Sequence, residues 1–412
     1  MEYTLRYEKE VLDNGLTVCY RVVDAPDTAL RIRINRGRLY EDEEKAGITH
    51  FLEHMLFKST RYHSGDEIRE ELENITGRDI IATTTHEQVS LDSRCPNKEL
   101  KILTEILYEC IANYYLKEED VEKEREIVLK EVSMNENDPF IHFFSQQKEK
   151  LFPQHPYGKF VGGTSSAIKN ITTQDLIEEK KKGFVGSNIY ISAVGGIDVD
   201  EFLSSIESSF GKMEKGIASS YDGEIKPPSY EEIEGEVGAP NQLLILLQAP
   251  GYRDSLKMEV LHEYLAEGRN SQLYRRLREE KPLCYHFGAT LAKMNDRSIY
   301  AIVASNYDIN KEREIIDIII NELDSIARGN IKMRDLERIK NNFRKTFYER
   351  YMDSVSSQAD VIIDIESRKT PYSLDDMYSF FSNFSSDELI ETAKKYFNGN
   401  YLVLKMRQME HQ

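Results

Sequence analysis

The stretch that most constrains this chain is Gly47-Ile48-Thr49-His50-Phe51-Leu52-Glu53-His54-Met55-Leu56-Phe57-Lys58. Its apolar residues Ile48, Phe51, Leu52, Met55 and Leu56 recur at helical spacing and predict one helix with a core-facing stripe. His50 and His54 are four apart, so adjacent turns carry them on one face. Glu53, three after His50, brings a carboxylate close to that face. Two imidazoles and a carboxylate at this spacing suit a zinc ion with a general base beside it. They would equally serve as a solvated polar face. A metal site therefore requires a third ligand from elsewhere in the chain.

A chain of 412 residues exceeds a typical single core and predicts two domains. Its formal net charge of −18 excludes a nucleic-acid binder, which needs a basic face. Cys19, Cys95, Cys110 and Cys284 are scattered without a Cys-x-x-Cys pair, so free thiols rather than a disulfide framework are expected. The segment from Met1 to Tyr7 has no apolar run, and no stretch reaches the roughly 18 apolar residues of a membrane helix. A cytoplasmic location with no membrane association is the expectation.

Strands are expected over Leu16–Val23 and Ala29–Asn35, and again at Ile80–Thr85 and Gln88–Ser93. Helices follow near 97–116 and 118–136. The second carries Glu124-Arg125-Glu126-Ile127-Val128-Leu129-Lys130-Glu131, in which Glu124 and Glu131 lie two turns apart on one face. By pattern alone this face is either a solvated acidic rim or a source of ligands. A strand at Asn188–Gly195 and a helix from Asp198 to about Phe210 close the first half. Residues 217–235, with Pro227-Pro228-Ser229 and several acids, read as a linker. The second half repeats the rough order of strands, helices and closing strand, from Gln242–Gln248 to Tyr401–Lys405. This predicts an internal duplication of two α+β units, 1–216 and 236–412. The helix around Leu261–Glu267 occupies the place of the His50 helix, but without the His-x-x-Glu-His, so only the first unit is expected to bind metal.

With these pieces placed, nearly the whole chain resembles the pitrilysin and mitochondrial-processing-peptidase family, zinc peptidases that carry His-x-x-Glu-His as the inverted zincin motif. The family's third ligand is a Glu in a segment like Glu-Arg-x-x-Val-x-x-Glu. Here that ligand is Glu131, at the family's usual spacing from His54, and Glu124 matches the acidic residue that supports the site. A segment like Leu-Arg-x-x-x-Gly-Leu-x-Tyr is matched by Leu277 to Tyr285, which carries over Arg278 and Tyr285, with Pro282 where Gly is more usual. In the family this pair reaches the zinc site from the facing domain and holds the substrate carbonyl and transition state. The segment like Gly-x-x-x-Asn-Ala-x-Thr-x-x-Glu runs from Gly77 to Glu87. Ala82, Thr84 and Glu87 fit as part of a substrate-binding edge strand, and Ile81 replaces the Asn that contacts the substrate backbone.

The resemblance implies an α+β fold of two homologous α/β-roll units, each an antiparallel-rich sheet flanked by helices, forming half of a clamshell. It implies one zinc per chain on His50, His54 and Glu131, with Glu53 as general base, and peptides or unstructured polypeptides as substrates. A homodimer is implied, with a heterodimer with a related subunit as the other arrangement. The rival expectation is a catalytically weak or inactive peptide-binding subunit, which some family members are.

Overall fold

Eleven strands among the described residues sort into two sheets. The computed structural model describes residues 6–78, 80–113, 115–237 and 241–407. Residues 1–5 of the N-terminal segment, and Asp79 of the Gly77–Glu87 segment, lie outside them. The first sheet holds β1 (Glu8–Val11), β2 (Thr17–Val22), β3 (Asp27–Ile34), β4 (Ile81–Thr84), β5 (Val89–Pro96) and β6 (Ile189–Gly195), in the order β1-β2-β6-β3-β5-β4. The second holds β7 (Glu231–Glu236), β8 (Gln242–Pro250), β9 (Cys284–Ala292), β10 (Arg297–Tyr307) and β11 (Leu402–Arg407), in the order β7-β11-β8-β10-β9. From β2 to β4, one parallel pair is followed by three antiparallel pairs, and from β7 to β9 the same sequence recurs. The chain is thus two copies of one α+β plan, and β4 and β9 are equivalent edge strands.

The helices repeat the plan. In the first unit, α1 (Ile48–Met55) and α2 (Gly65–Thr76) connect β3 to β4. The connection from β5 to β6 runs through α3 (Leu100–Ala112), α4 (Glu118–Asn137), α5 (Pro139–Leu151), α6 (Ser165–Asn170) and α7 (Thr173–Gly183), and α8 (Val199–Ser208) follows β6. In the second unit, α9 (Leu256–Leu265) and α10 (Gln272–Tyr274, continued as a π-helix over Arg275–Glu280) precede β9. Five more helices join β10 to β11: α11 (Glu312–Ala327), α12 (Met333–Tyr351), α13 (Val355–Arg368), α14 (Leu374–Asn383) and α15 (Ser386–Tyr396).

Local chemistry sets the ends. Ser64 and Glu67 form a capping box on α2, and Thr172 with Asp175 form one on α7. Helices α5 and α13, like α6 and α14, have no counterpart in the pattern reading, and for α5 the reason is definable. Asp138 ends α4 and also caps α5, accepting from the Ile141 amide at 2.8 Å, with Pro139 in the first turn. With no loop between the two helices, the boundary is hidden. Strand β7 begins inside the stretch read as linker, where it pairs with β11 rather than with a sequence neighbour.

Helices α5 and α13 tie the units together. Phe152, at the end of α5, packs with Leu244, Leu246, Leu402 and Leu404 of the second sheet, and Phe143 and Phe144 join them. In return Ala359 and Ile362 of α13 share a core with Cys19, Ala29 and Val194 of the first sheet. Each unit lends a helix to the outer face of the other's sheet. Burying a large apolar side chain contributes about 1.5–3 kcal/mol, so an exchange of several such residues each way holds the two sheets as one body. Ion pairs reinforce it: Arg31 on β3 meets Asp360 on α13 at 2.5 Å. No helix among the described residues is long and apolar enough to cross a membrane.

Candidate metal centre and active site

Helix α1 buries Ile48, Phe51, Leu52 and Met55 in the core of the first unit and leaves His50, Glu53 and His54 half-buried on its other side. The two imidazoles meet edge to face with ring centroids 4.6 Å apart. His50, Glu53 and His54 present ligand atoms that all lie within 4.8 Å of one another.

Helix α4 crosses α1 and brings Glu131 to the same point. One Glu131 oxygen is 3.6 Å from His50 Nε2 and the other is 3.3 Å from His54 Nε2. Three donors each about 2.0–2.2 Å from a zinc ion at tetrahedral angles are separated from one another by roughly 3.3–3.5 Å. The donor types are those zinc takes, and the two separations from Glu131 to the imidazoles are close to that length. Glu131 is the most exposed of the three, with 46% of its side chain accessible against 12% and 18% for the imidazoles, so the site opens on its side.

The protonation pattern is set from behind. His54 Nδ1 lies 3.0 Å from Glu124 Oε1, and the other Glu124 oxygen takes the Lys58 ammonium at 2.6 Å. A proton held on Nδ1 by Glu124 leaves Nε2 free to face Glu131. Burial alone would lower the pKa of His54, but the Glu124 hydrogen bond and the charges of Glu53, Glu124 and Glu131 outweigh it and raise the value. His50 goes the other way. Burial, with the neighbouring His54, pulls it down to about 4, which keeps it a neutral imidazole. Burial would raise Glu124, and its bonds to His54 and Lys58 instead hold it ionised.

Glu53 is turned toward the edge of the sheet. Thr84 on β4 donates its hydroxyl to Glu53 Oε2 at 3.2 Å. Burial pushes the Glu53 carboxyl above the ordinary value, against the His54 charge and the Thr84 hydrogen bond. A raised carboxyl is suited to trading protons near neutral pH. Ala82 stands two residues along β4 on the same face as Thr84, while Ile81 points the other way and is 72% exposed. Among the described residues β4 pairs with β5 alone, which leaves its outer edge without a strand partner there.

Arg278 and Tyr285 are not brought to this cluster. Arg278 lies in the π-helical segment and Tyr285 at the start of β9. Arg278 donates to the carbonyls of Cys284 and Tyr285 and stacks over the Tyr285 ring, 5.4 Å from its centroid. The Tyr285 ring is exposed. Two residues at the site escaped the pattern reading. Lys58 stands one turn beyond His54, and that spacing was the available signal. Glu41 lies outside the strands and helices expected from the pattern, yet it accepts from the Gly47 and Thr49 amides at the start of α1.

A duplicated α+β chain with this motif on the first helix after β3 is built on the plan of the inverted-motif zinc peptidases. Comparison with known proteins bears this out. The family described as Insulinase (Peptidase family M16) matches residues 21–165, and the Peptidase M16 inactive domain matches residues 170–343. An uncharacterized zinc protease of Rickettsia felis is 24% identical over 404 residues, covering 94% of each chain. Mitochondrial-processing peptidase subunit beta of Bos taurus is 31% identical over 214 residues, 52% of this chain and 43% of that one. The crystal structure of the periplasmic protease PqqL from Escherichia coli superposes with a TM-score of 0.81 at 17% identity, over 98% of this chain and 48% of that one. The chain belongs to the M16 peptidase family. All four residues of the candidate centre fall within the segment matched as insulinase.

Proposed function

We propose that this chain is a zinc-dependent endopeptidase that cleaves peptides or unstructured polypeptides. One zinc is held per chain by His50, His54 and Glu131, within a unit spanning 1–216, and the second unit opens with β7 at Glu231, which leaves 217–230 as the joining stretch. The observation that carries this reading is the approach of the two Glu131 oxygens to the two imidazole Nε2 atoms at the edge length of a tetrahedral zinc site.

A zinc ion bound there supplies a Lewis acid that acidifies an attacking water and polarises a peptide carbonyl. Glu53, held by Thr84 and raised by burial, takes the proton of that water and returns it to the leaving amine. Glu124 and Lys58 hold the His54 ring in orientation. The unpaired edge of β4 accepts a peptide as an added strand through main-chain hydrogen bonds, with Ala82 and Thr84 facing the catalytic side. Ile81 stands where the segment of the resembled family has Asn, so this position offers an apolar side chain in place of a polar one. Purified protein is expected to contain about one zinc per chain by emission spectrometry. It is expected to cut a mixed peptide library in a reaction that a chelator stops and zinc restores. Protein without zinc, or cleavage indifferent to the chelator, would sink the reading. Zinc binding with no cleavage would favour the peptide-binding subunit instead.

Arg278 and Tyr285 engage one another rather than the chain's own His50, so their proposed role lies at the centre of a second copy. The chain spans about half of PqqL, which is consistent with a partner completing the chamber. A homodimer supplies Tyr285 to each zinc from the facing subunit. Mixing Glu53→Gln with Tyr285→Phe protein should then restore activity to about a quarter of wild type. Half the dimers are mixed after full exchange, and each has one intact site of two. No recovery after confirmed subunit exchange would remove the role in trans.

A further inference from the structure

We propose that Glu41 is the positioning residue of the metal helix: its buried carboxylate fixes the first turn of α1, and with it the placement of His50 and His54 against Glu131. The inference rests on the metal reading above.

Helix α1 has eight residues, too few to be stable on its own. Its N-cap is Gly47, with φ of 91°, which offers no side chain to the orphan amides of the first turn. The cap arrives from Glu41 instead. Oε2 accepts from the Gly47 amide at 2.7 Å and Oε1 from the Thr49 amide at 2.9 Å. The Glu41 side chain is wholly buried, and Arg38, equally buried, stands 3.8 Å from Oε2. Burial pushes the Glu41 carboxyl up, while the two amides and Arg38 favour its charged form. The positive end of the helix dipole adds to them.

Thr49 is the residue before His50, so the carboxylate holds the backbone one step from a ligand. The opposite side of the same turn is closed by backbone. A Cβ on Gly47 would lie 2.4 Å from the Gly162 carbonyl oxygen, and one on Gly163 would lie 2.0 Å from that of Ala46. The apolar stripe of Phe51, Leu52 and Met55 buries the helix, but apolar contact is non-directional and leaves sliding and rotation open. Two charge-assisted hydrogen bonds are directional and remove that freedom. Metal ligands must meet their ion within about 0.2 Å, so the turn that carries His50 is where such freedom would cost affinity.

The test uses Glu41→Gln and Glu41→Asp in the full chain, with Glu43→Gln as control. Gln turns an NH₂ toward one of the two amides, and Asp keeps the charge but cannot reach both. Two quantities are read: hydrogen exchange of residues 47–56 in metal-free protein, and zinc affinity by competition with a chromophoric chelator. Exchange of 47–56 should rise about tenfold in the Glu41 variants, the scale of a lost cap. Zinc affinity should fall roughly tenfold, the low end for residues behind a ligand shell. Glu43→Gln should change neither, since that side chain is largely exposed and touches Arg38 rather than α1. Unchanged exchange of 47–56 in either folded variant overturns the proposal. So does wild-type zinc affinity once that segment opens, or faster exchange spread evenly over the whole chain. If Glu41→Gln fails to fold, Glu41→Asp decides on the same readings. Wild-type protein that binds no zinc would overturn the metal reading instead, and the exchange data would still decide whether Glu41 holds α1.

Discussion

Glu53→Gln is expected to leave zinc content and fold unchanged while lowering kcat for peptide cleavage by about 10²–10⁴-fold, the range for loss of a positioned general base. The side chain keeps its size, and Gln Oε1 can still accept from the Thr84 hydroxyl. What is lost is the ability to take a proton. Glu53 is well placed to lose nothing else. Its carboxylate is drawn toward β4 by Thr84, whereas both Glu131 oxygens approach the imidazole Nε2 atoms. If Glu53 were a ligand instead, its substitution would release metal. The two outcomes separate in one preparation, by metal analysis beside steady-state cleavage. Equal cleavage by wild type and Glu53→Gln would dismiss Glu53 as the base. KM is expected to move little, because the proton transfer belongs to the transition state.

The residues of the centre were legible to different degrees, and the differences are physical. His50, Glu53 and His54 lie within one helix, where spacing alone fixes which side chains share a face. Ala82 and Thr84 came from the resemblance alone, and the pleat of β4 puts them on one face. Glu131 comes from a different helix, and no periodicity says that α4 crosses α1. Pattern left it between a solvated rim and a ligand, and the family spacing decided. Lys58 and Glu41 needed the folded chain. Their roles depend on where Glu124 and the first turn of α1 end up, not on their own neighbours in sequence. The same limit explains the fold. Strands and capped helices with clear breaks were readable. Helix α5 was hidden because Asp138 closes one helix and opens the next. The exchange of α5 and α13 between units is a tertiary fact, carried by the cores that Phe152 shares with Leu246 and Ile362 with Val194.

Glu131→Gln should weaken zinc binding by about 10²–10³-fold. Protein zinc sites hold their ion with about 10–16 kcal/mol, so each of three or four ligands accounts for roughly 3–4 kcal/mol. Gln is nearly the same size and can still offer one neutral oxygen, but it cannot give each imidazole an anionic neighbour. A comparison with Glu124→Gln makes the prediction discriminating. Glu124 meets His54 at Nδ1, the ring nitrogen opposite the one that faces Glu131, so it would orient the ring rather than bind. Its substitution should cost about 10–100-fold. Removing it also frees Lys58 from its 2.6 Å partner, so part of that loss is a displaced ammonium rather than a misplaced ring. Lys58→Met in the Glu124→Gln background separates the two contributions. The decisive order is Glu131 above Glu124, measured by chelator competition at one pH with all variants folded. A Glu131→Gln protein that binds zinc as wild type does would mean that the third ligand is another group. Glu53, already within 4.8 Å of both imidazoles, would then be the one to test as ligand, and the base would have to be sought elsewhere.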